Sequence, residues 1–292
     1  MTESNTKKVV AFGEVLWDCL PSGLFLGGAP LNVAYHASRL GATSYLASAV
    51  GKDFLGDEVV RRFEASGVQT DLLKRHPRWP TGASVASLDK SGDATYEILE
   101  KVAWDEIALE EEDSPILASA DAFVFGSLAA RTESNRSLLL GLLERTEALK
   151  VCDVNLRAPH DDLDLALSLL KRSDVIKVND EELRRLVGGD EGEFLDCIKA
   201  LNQKTGVDLI CVTLGSKGAM LWRRGRFFSL PPDDISVADT IGAGDAFTAA
   251  LTMGLLEKRG LEECLVRALK LSSFVASKRG AQPLYKPRKL FS

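Results

Sequence analysis

The sequence predicts an α/β protein: a doubly wound, mostly parallel sheet with helices on both faces, and a small β-sheet lid beside it. Three observations predict this. Short apolar runs alternate along the chain with longer stretches of helical periodicity, the pattern of strand–helix–strand units. One region, Thr81–Asp105, breaks the rhythm with two strand-like runs and no helix between them. The chain has 292 residues, 45% hydrophobic and 27% charged, enough for one large domain with an appendage.

Taken in order, KKVVAFGEVLWD (Lys7–Asp18) reads as the opening strand. APLNVAYHASRLGA follows Gly27 and Gly28 and reads as a helix, with Pro30 in the first turn and Gly41 as its stop. TSYLASAVG is a strand, and DEVVRRFEASG is a helix ending at Gly67. DAFVFGS, KVCDVN, DVIKVN and DLICVTLG are further buried-strand runs, each followed by polar or helical sequence. Phe247, Ala250, Leu251, Gly254 and Leu255 form one helical stripe; Leu261, Cys264, Leu265, Ala268, Leu269, Ser272 and Val275 form the last. In Thr81–Asp105 the two runs flank a turn at Lys90–Asp93 and should pair antiparallel. Leu16–Leu26, bent at Pro21 and Gly23, could join them. The expected division is therefore a core of 1–13, 27–80 and 106–292 and a lid of 14–26 and 81–105. Trp17, Trp79 and Trp104 fall in or beside the lid, where they could wall a pocket or pack lid against core.

A net charge of −6 and a pI near 5.3 argue against a chain that grips nucleic acid or anionic membrane. Cys19, Cys152, Cys197, Cys211 and Cys264 are odd in number and widely spaced; buried reduced thiols are expected rather than disulfides or a zinc site. The opening MTESNTKKVVAFGEVL has no signal-like apolar segment, and no apolar run reaches the ~18 residues of a membrane span. A cytoplasmic protein is expected.

DTIGAGDAFTAAL (Asp239–Leu251) raises a chemical question, because Gly242 and Gly244 stand where a helix begins and a helix start prefers Ser, Thr, Asp or Asn. Bare first-turn amides at the positive end of the dipole can close on an anion such as phosphate. Asp245 would repel that anion, so its plausible use is to take a proton from whatever attacks it. A tight turn with a dipole-complementing Asp explains the stretch equally well. Neither GxxxxGK[ST] nor GxGxxG occurs, Phe247 standing where the third glycine would be.

Other segments offer matching roles. LGGAPLNVA is a second glycine pair opening a helix, with Asn32 available to hydroxyls; Asp18, read as ending the first strand, would share its edge. An Asp–Asn pair suits a sugar. Asn179 and Glu182 in KVNDEEL lie on one face at a helix start, fit for hydrated Mg²⁺ and better explained, taken alone, as an N-cap with first-turn acids. DVNLR presents Asn155 and Arg157; Arg157 could stabilise a phosphoryl group or form a surface ion pair. Gly215 and Gly218 in TLGSKGAM let a ligand approach a strand–turn–strand, or serve an ordinary hairpin.

In order along the chain, GGAPLNVAYHASRLGATSYLASAVG, VGKDFLGDEVVRRFEASGV, KVNDEEL, TLGSKGA, DTIGAGDAFTAALT and KRGAQP resemble the ribokinase-like (PfkB) family of carbohydrate kinases over nearly the whole chain. FGEVLWD, GGAPLN and DVNLR are most similar to its fructokinase-type members. The resemblance implies the fold above, a β lid that often forms a homodimer contact, ATP as phosphoryl donor, and Mg²⁺. It implies that Asp245 is the general base, with Gly242, Ala243 and Gly244 as the anion hole, and that Asp18, Gly28 and Asn32 contact sugar. Asn179 and Glu182 would organise Mg²⁺ and phosphates; Thr213, Gly215 and Gly218 the nucleotide loop; Ser272–Ala276 would flank adenine. Asp239 opens the segment whose backbone binds a monovalent cation, K⁺, in many members; Leu284 departs from the family there, where a small polar residue is common. The expected reaction is transfer of the γ-phosphate of ATP to a small carbohydrate, fructose foremost. 2-Keto-3-deoxygluconate, ribose and a nucleoside are alternative acceptors, and a non-catalytic sugar-binding or assembly subunit is the alternative of another class.

Overall fold

A computed structural model describes residues 6–20, 23–88, 94–189 and 192–291; the bend at Pro21 and the turn at Lys90–Asp93 lie outside the described residues. The opening run is two strands, β1 (Lys8–Phe12) and β2 (Leu16–Leu20), and β3 (Gly23–Gly27) returns beside β2. Helix α1 (Ala29–Arg39) leads to β4 (Thr43–Gly51), and α2 (Phe54–Ser66) to the short β5 (Val68–Gln69) and β6 (Leu73–His76). β7 (Gly82–Leu88) and β8 (Ala94–Ile98) pair antiparallel, with no helix between them. The chain then alternates α3 (Ser114–Ala118), β9 (Ala122–Phe125), α4 (Glu133–Arg145), β10 (Leu149–Asp153), α5 (Leu163–Leu170), β11 (Val175–Asn179), α6 (Asp180–Val187), α7 (Phe194–Thr205) and β12 (Leu209–Thr213). The hairpin β13 (Ala219–Arg223) and β14 (Arg226–Leu230) precedes α8 (Ala243–Leu256), α9 (Leu261–Ala276) and the short α10 (Pro287–Leu290).

The large sheet has ten strands in the order β14-β13-β12-β11-β10-β9-β1-β4-β5, with β6 also on β4. It is parallel from β12 to β5 and antiparallel at the β12–β13–β14 edge. Alternate strand residues face opposite helical layers. Cys152, Ile176 and Ile210 pack on α4–α7, whereas Val151, Val175 and Leu209 pack on α8 and α9. Strand order reverses at β1, which lies between β9 and β4. In open α/β sheets such a switch point opens a crevice at the carboxyl ends of the strands.

The second sheet, β3-β2-β7-β8, has four strands. Its tryptophans serve packing. Trp17 and Trp104 are fully buried, the Trp17 indole donates to the Leu55 carbonyl at 3.2 Å, and Arg131 lies over the Trp104 ring. Trp79 stacks on His76. No disulfide joins the cysteines; four are buried and Cys19, in the second sheet, is half-buried. Among the described residues no helix is long and apolar enough to cross a membrane.

Candidate active site

A cleft of about 1040 Å³ lies where the carboxyl edge of the large sheet meets the second sheet, above the ~300–1,000 Å³ range of ordinary small-molecule pockets. Leu16, Asp18, Phe25 and Ser84 line it from the second sheet; Glu14, Asn32, Asn155, Arg157, Lys177, Asn179, Glu182 and Thr213 from the large sheet and its loops; Ala238–Gly242, Gly244, Asp245 and Arg279–Ala281 from the last third of the chain.

The floor is the start of α8. Gly242 is its N-cap in left-handed conformation (φ 75°) with no side-chain cap. A Cβ there would come within 2.3 Å of the Ala281 Cβ, so only glycine fits. Asp245 stands in the first turn and its Oδ2 accepts from Asn32 Nδ2 at 2.8 Å. Burial, then the Asp153 carboxylate, push its pKa up to about 6, against the opposing Asn32 hydrogen bond and the charges of Lys177 and Arg157. The group is thereby ionised near neutral pH yet close to its proton affinity, the condition for a general base.

Beneath Asp245 lies a buried ion pair the sequence reading missed. Asp153 and Lys177 are register partners on β10 and β11, and Lys177 Nζ donates to Asp153 Oδ1 at 3.0 Å. Thr248 of α8 donates to Asp153 Oδ2 at 2.7 Å. Burial opposes the Lys177 charge, but Asp153 and Glu182 outweigh it and raise its pKa. A Cβ on Gly244 would lie 3.3 Å from that ammonium, so a cation abuts the positive end of α8, the unfavourable end for one. The signal was in the sequence: a charge in the middle of the apolar strand runs VCDV and VIKV.

Glu14, directly after β1, was missed as well. It is 4% exposed, and its Oε1 accepts from Ala29 N at the start of α1. Burial pushes its pKa up to about 7, with Asp245 adding to the rise. Gly28, the N-cap of α1 (φ 115°), lines the cleft.

The remaining expectations separate. Asp18 sits within β2 of the second sheet, not at the edge of the first strand, because the opening run breaks at Gly13 into two strands; its Oδ1 accepts from the Ser84 hydroxyl, and burial raises its pKa. Asn155 adopts a left-handed φ of 46°, and Arg157 is exposed at the cleft with its guanidinium bonded to the Leu156 carbonyl. Asn179 and Glu182 form a reciprocal capping box on α6, and Glu182 also accepts from Leu156 N at 3.0 Å. Thr213 reaches the cleft, whereas Gly215, Gly218, Ser272 and Ala276 are not among its lining residues. Gly218 is fixed by the hairpin, since a Cβ would strike the Leu230 carbonyl. The Ala276 carbonyl accepts from Ala238 N and Asp239 N, and Asp239 in turn accepts from Ile241 N and Gly280 N. Leu284 is 81% exposed.

A doubly wound sheet with an uncapped glycine-started helix and a tuned carboxylate in a large cleft defines a protein built to hold an anionic ligand beside a proton acceptor. The model of the pfkB family carbohydrate kinases matches residues 7–287, and the chain belongs to that family of sugar kinases. A fructokinase of Klebsiella pneumoniae is 31% identical over 261 residues, covering 85% of this chain and 84% of that one. The crystal structure of an uncharacterised sugar kinase of Pyrococcus horikoshii superposes with a TM-score of 0.81 at 26% identity, covering 98% of this chain and all of the other. The fructokinase of Xylella fastidiosa, solved with bound ATP, superposes with a TM-score of 0.84 at 23% identity over 98% of each chain.

Proposed function

We propose that this sugar kinase transfers the γ-phosphoryl group of ATP to a hydroxyl of fructose. The observation that carries the reading is Asp245, held by Asn32 in the first turn of uncapped α8, on the floor of a cleft roomy enough for a nucleotide and a sugar. The named fructokinases among its relatives supply the choice of sugar.

In this mechanism Asp18, Asn32 and Asn155 hold sugar hydroxyls. Asp245 takes the proton of the attacking hydroxyl as its oxygen bonds to the γ-phosphorus, and the bond from that phosphorus to the ADP oxygen breaks. First-turn amides of Gly242–Gly244 and the Arg157 guanidinium take up the charge on the moving phosphoryl group. No group of three or more His, Cys, Asp or Glu among the described residues could hold a metal directly, and both Glu182 oxygens already accept backbone amides. Asn179 and Glu182 would therefore hold only a hydrated Mg²⁺ carried with the nucleotide, through bridging water, and the ion would supply charge neutralisation at the phosphates. Thr213 would border the nucleotide.

We assign the second sheet, on segments 14–26 and 81–105, as a lid over a core of 1–13, 27–80 and 106–292. Its outward face carries exposed Leu24 and Val85, register neighbours of Cys19, and is the proposed homodimer contact. The test is ADP release with fructose, 2-keto-3-deoxygluconate, ribose and adenosine, each with and without Mg²⁺ and with KCl against NaCl. Fructose should give the highest kcat/KM. A different preferred acceptor would replace fructose, and no ADP with any of them would revive a non-catalytic role.

A further inference from the structure

One face of α1 grips the segment after α9. Asn32, Tyr35, His36 and Arg39 recur at i, i+3, i+4 and i+7, and each is hydrogen-bonded within the segment Ala281–Tyr285. Gln282 Nε2 donates to Asn32 Oδ1 at 2.9 Å, and the Tyr35 hydroxyl donates to the Pro283 carbonyl at 3.2 Å. His36 Nε2 lies 2.9 Å from the Ala281 carbonyl and Nδ1 lies 3.1 Å from the Tyr285 hydroxyl. A carbonyl only accepts, so Nε2 carries the proton and Nδ1 receives the hydroxyl. Burial lowers the His36 pKa to about 4, which keeps this arrangement neutral across the working pH range. Arg39 closes the row on the Tyr285 carbonyl.

Only one of these bonds leads to the reaction centre. An asparagine amide presents an acceptor on one side and a donor on the other, and the two orientations differ by a flip. The ionised carboxylate only accepts and so favours the NH₂ side, and a donor at the Oδ1 side reinforces that orientation by opposing a flip that would set two oxygens against each other.

We propose that Gln282 is a positioning residue for the base: by donating to Asn32 Oδ1 it commits the Asn32 amide to donate to Asp245 Oδ2. The segment Ala281–Tyr285 thus sets the orientation of the carboxylate as well as packing on α1. This deepens the proposed function and rests on it. The other charged groups facing Asp245 are Asp153 of β10, Lys177 of β11, Arg157 after β10 and Glu14 after β1, and none of them touches Gln282 among the hydrogen bonds of the described residues.

The test is a double-mutant cycle on Gln282→Met and Asn32→Ala, with kcat/KM for ATP and sugar followed from pH 5 to 8.5 and thermal midpoints in parallel. Gln282→Met should lower kcat/KM by about tenfold, the worth of one hydrogen bond to a charged group, and move the acidic limb to higher pH. In the Asn32→Ala background it should cost nothing further. An unmoved limb, or the same loss in both backgrounds, would overturn the proposal. Should Gln282→Met fail to fold, Gln282→Asn, which withdraws the amide by one methylene, takes its place. A ¹³C-carboxyl titration of Asp245 in wild type and variant reads the same shift without turnover. If the wild type phosphorylates no sugar, the proposed function falls while the titration still judges the relay.

Discussion

Helices α1 and α8 begin alike and differ in what faces their first turns. Both start at a glycine with positive φ, Gly28 and Gly242, and neither has a side-chain cap. At α1 the protein supplies the acceptor itself, since the carboxyl group of Glu14, in the loop after β1, accepts from Ala29 N. Both starts line the cleft, but at α8 the first-turn carboxylate, Asp245, is turned aside to Asn32. A glycine-started helix is therefore not in itself a ligand site. Its amides stay open to a ligand where no protein carboxyl group accepts from them.

The largest expected effect lies at α8. Asp245→Asn should lower kcat by about 10²- to 10⁴-fold, the span of a lost general base, while ATP binding, measured by calorimetry, persists. In the wild type Asp245 carries its proton below its pKa of about 6, so kcat/KM should rise with pH through that value. The limb should be missing in the variant. Wild-type turnover in Asp245→Asn would remove the residue from the role and, with it, the contrast between the helices.

A methyl group placed on each helix start separates the two in a second way. Gly28 has φ 115°, and a Cβ there would come within 2.4 Å of the Glu14 carbonyl oxygen. Gly28→Ala should cost about 3 kcal/mol of stability from backbone strain and overpacking, read by urea denaturation. Gly244 has no positive φ, and its Cβ would meet only the Lys177 ammonium at 3.3 Å. Gly244→Ala should fold normally and lose about tenfold in kcat as the methyl shields the first-turn amides. Equal stability loss in both variants would erase the distinction.

Much of this was legible beforehand, for reasons that particular residues show. The buried runs DAFVFGS and DLICVTLG and the stripes of α8 and α9 are local patterns, so the sheet, its helical layers and the helix-free Thr81–Asp105 pair could be read directly. The place of Asp245 and the two glycine pairs at the cleft was legible because a glycine where a cap belongs is locally anomalous. Glu14 and Gln282 were not, since their hydrogen bonds span 15 and 250 residues. Asn179 and Glu182 show the opposite case: three residues apart, they satisfy each other's backbone, and nothing in their spacing tells a capping box from a metal pair. Asp18 was misplaced because the break after β1 rests on one glycine, Gly13, whose Cβ would strike the Pro30 ring.

The smallest effect concerns the carboxylate that distinguishes α1. Glu14 has a folded pKa of about 7 against an ordinary 4.5, so the folded chain holds this proton more tightly than the unfolded one. Its contribution to stability is complete below pH 4.5 and is lost as pH rises through 7. Glu14→Gln keeps an acceptor for Ala29 N and never ionises. Its stability relative to wild type should therefore improve between pH 5 and pH 8 by about 1–3 kcal/mol, given the rise from 4.5 to about 7 at about 1.36 kcal/mol per pH unit, less relaxation. Urea denaturation at both pH values checks this. A difference that stays constant between them would mean that Glu14 ionises as freely in the fold as in water, and that α1 is closed by geometry alone rather than by a resident carboxyl group.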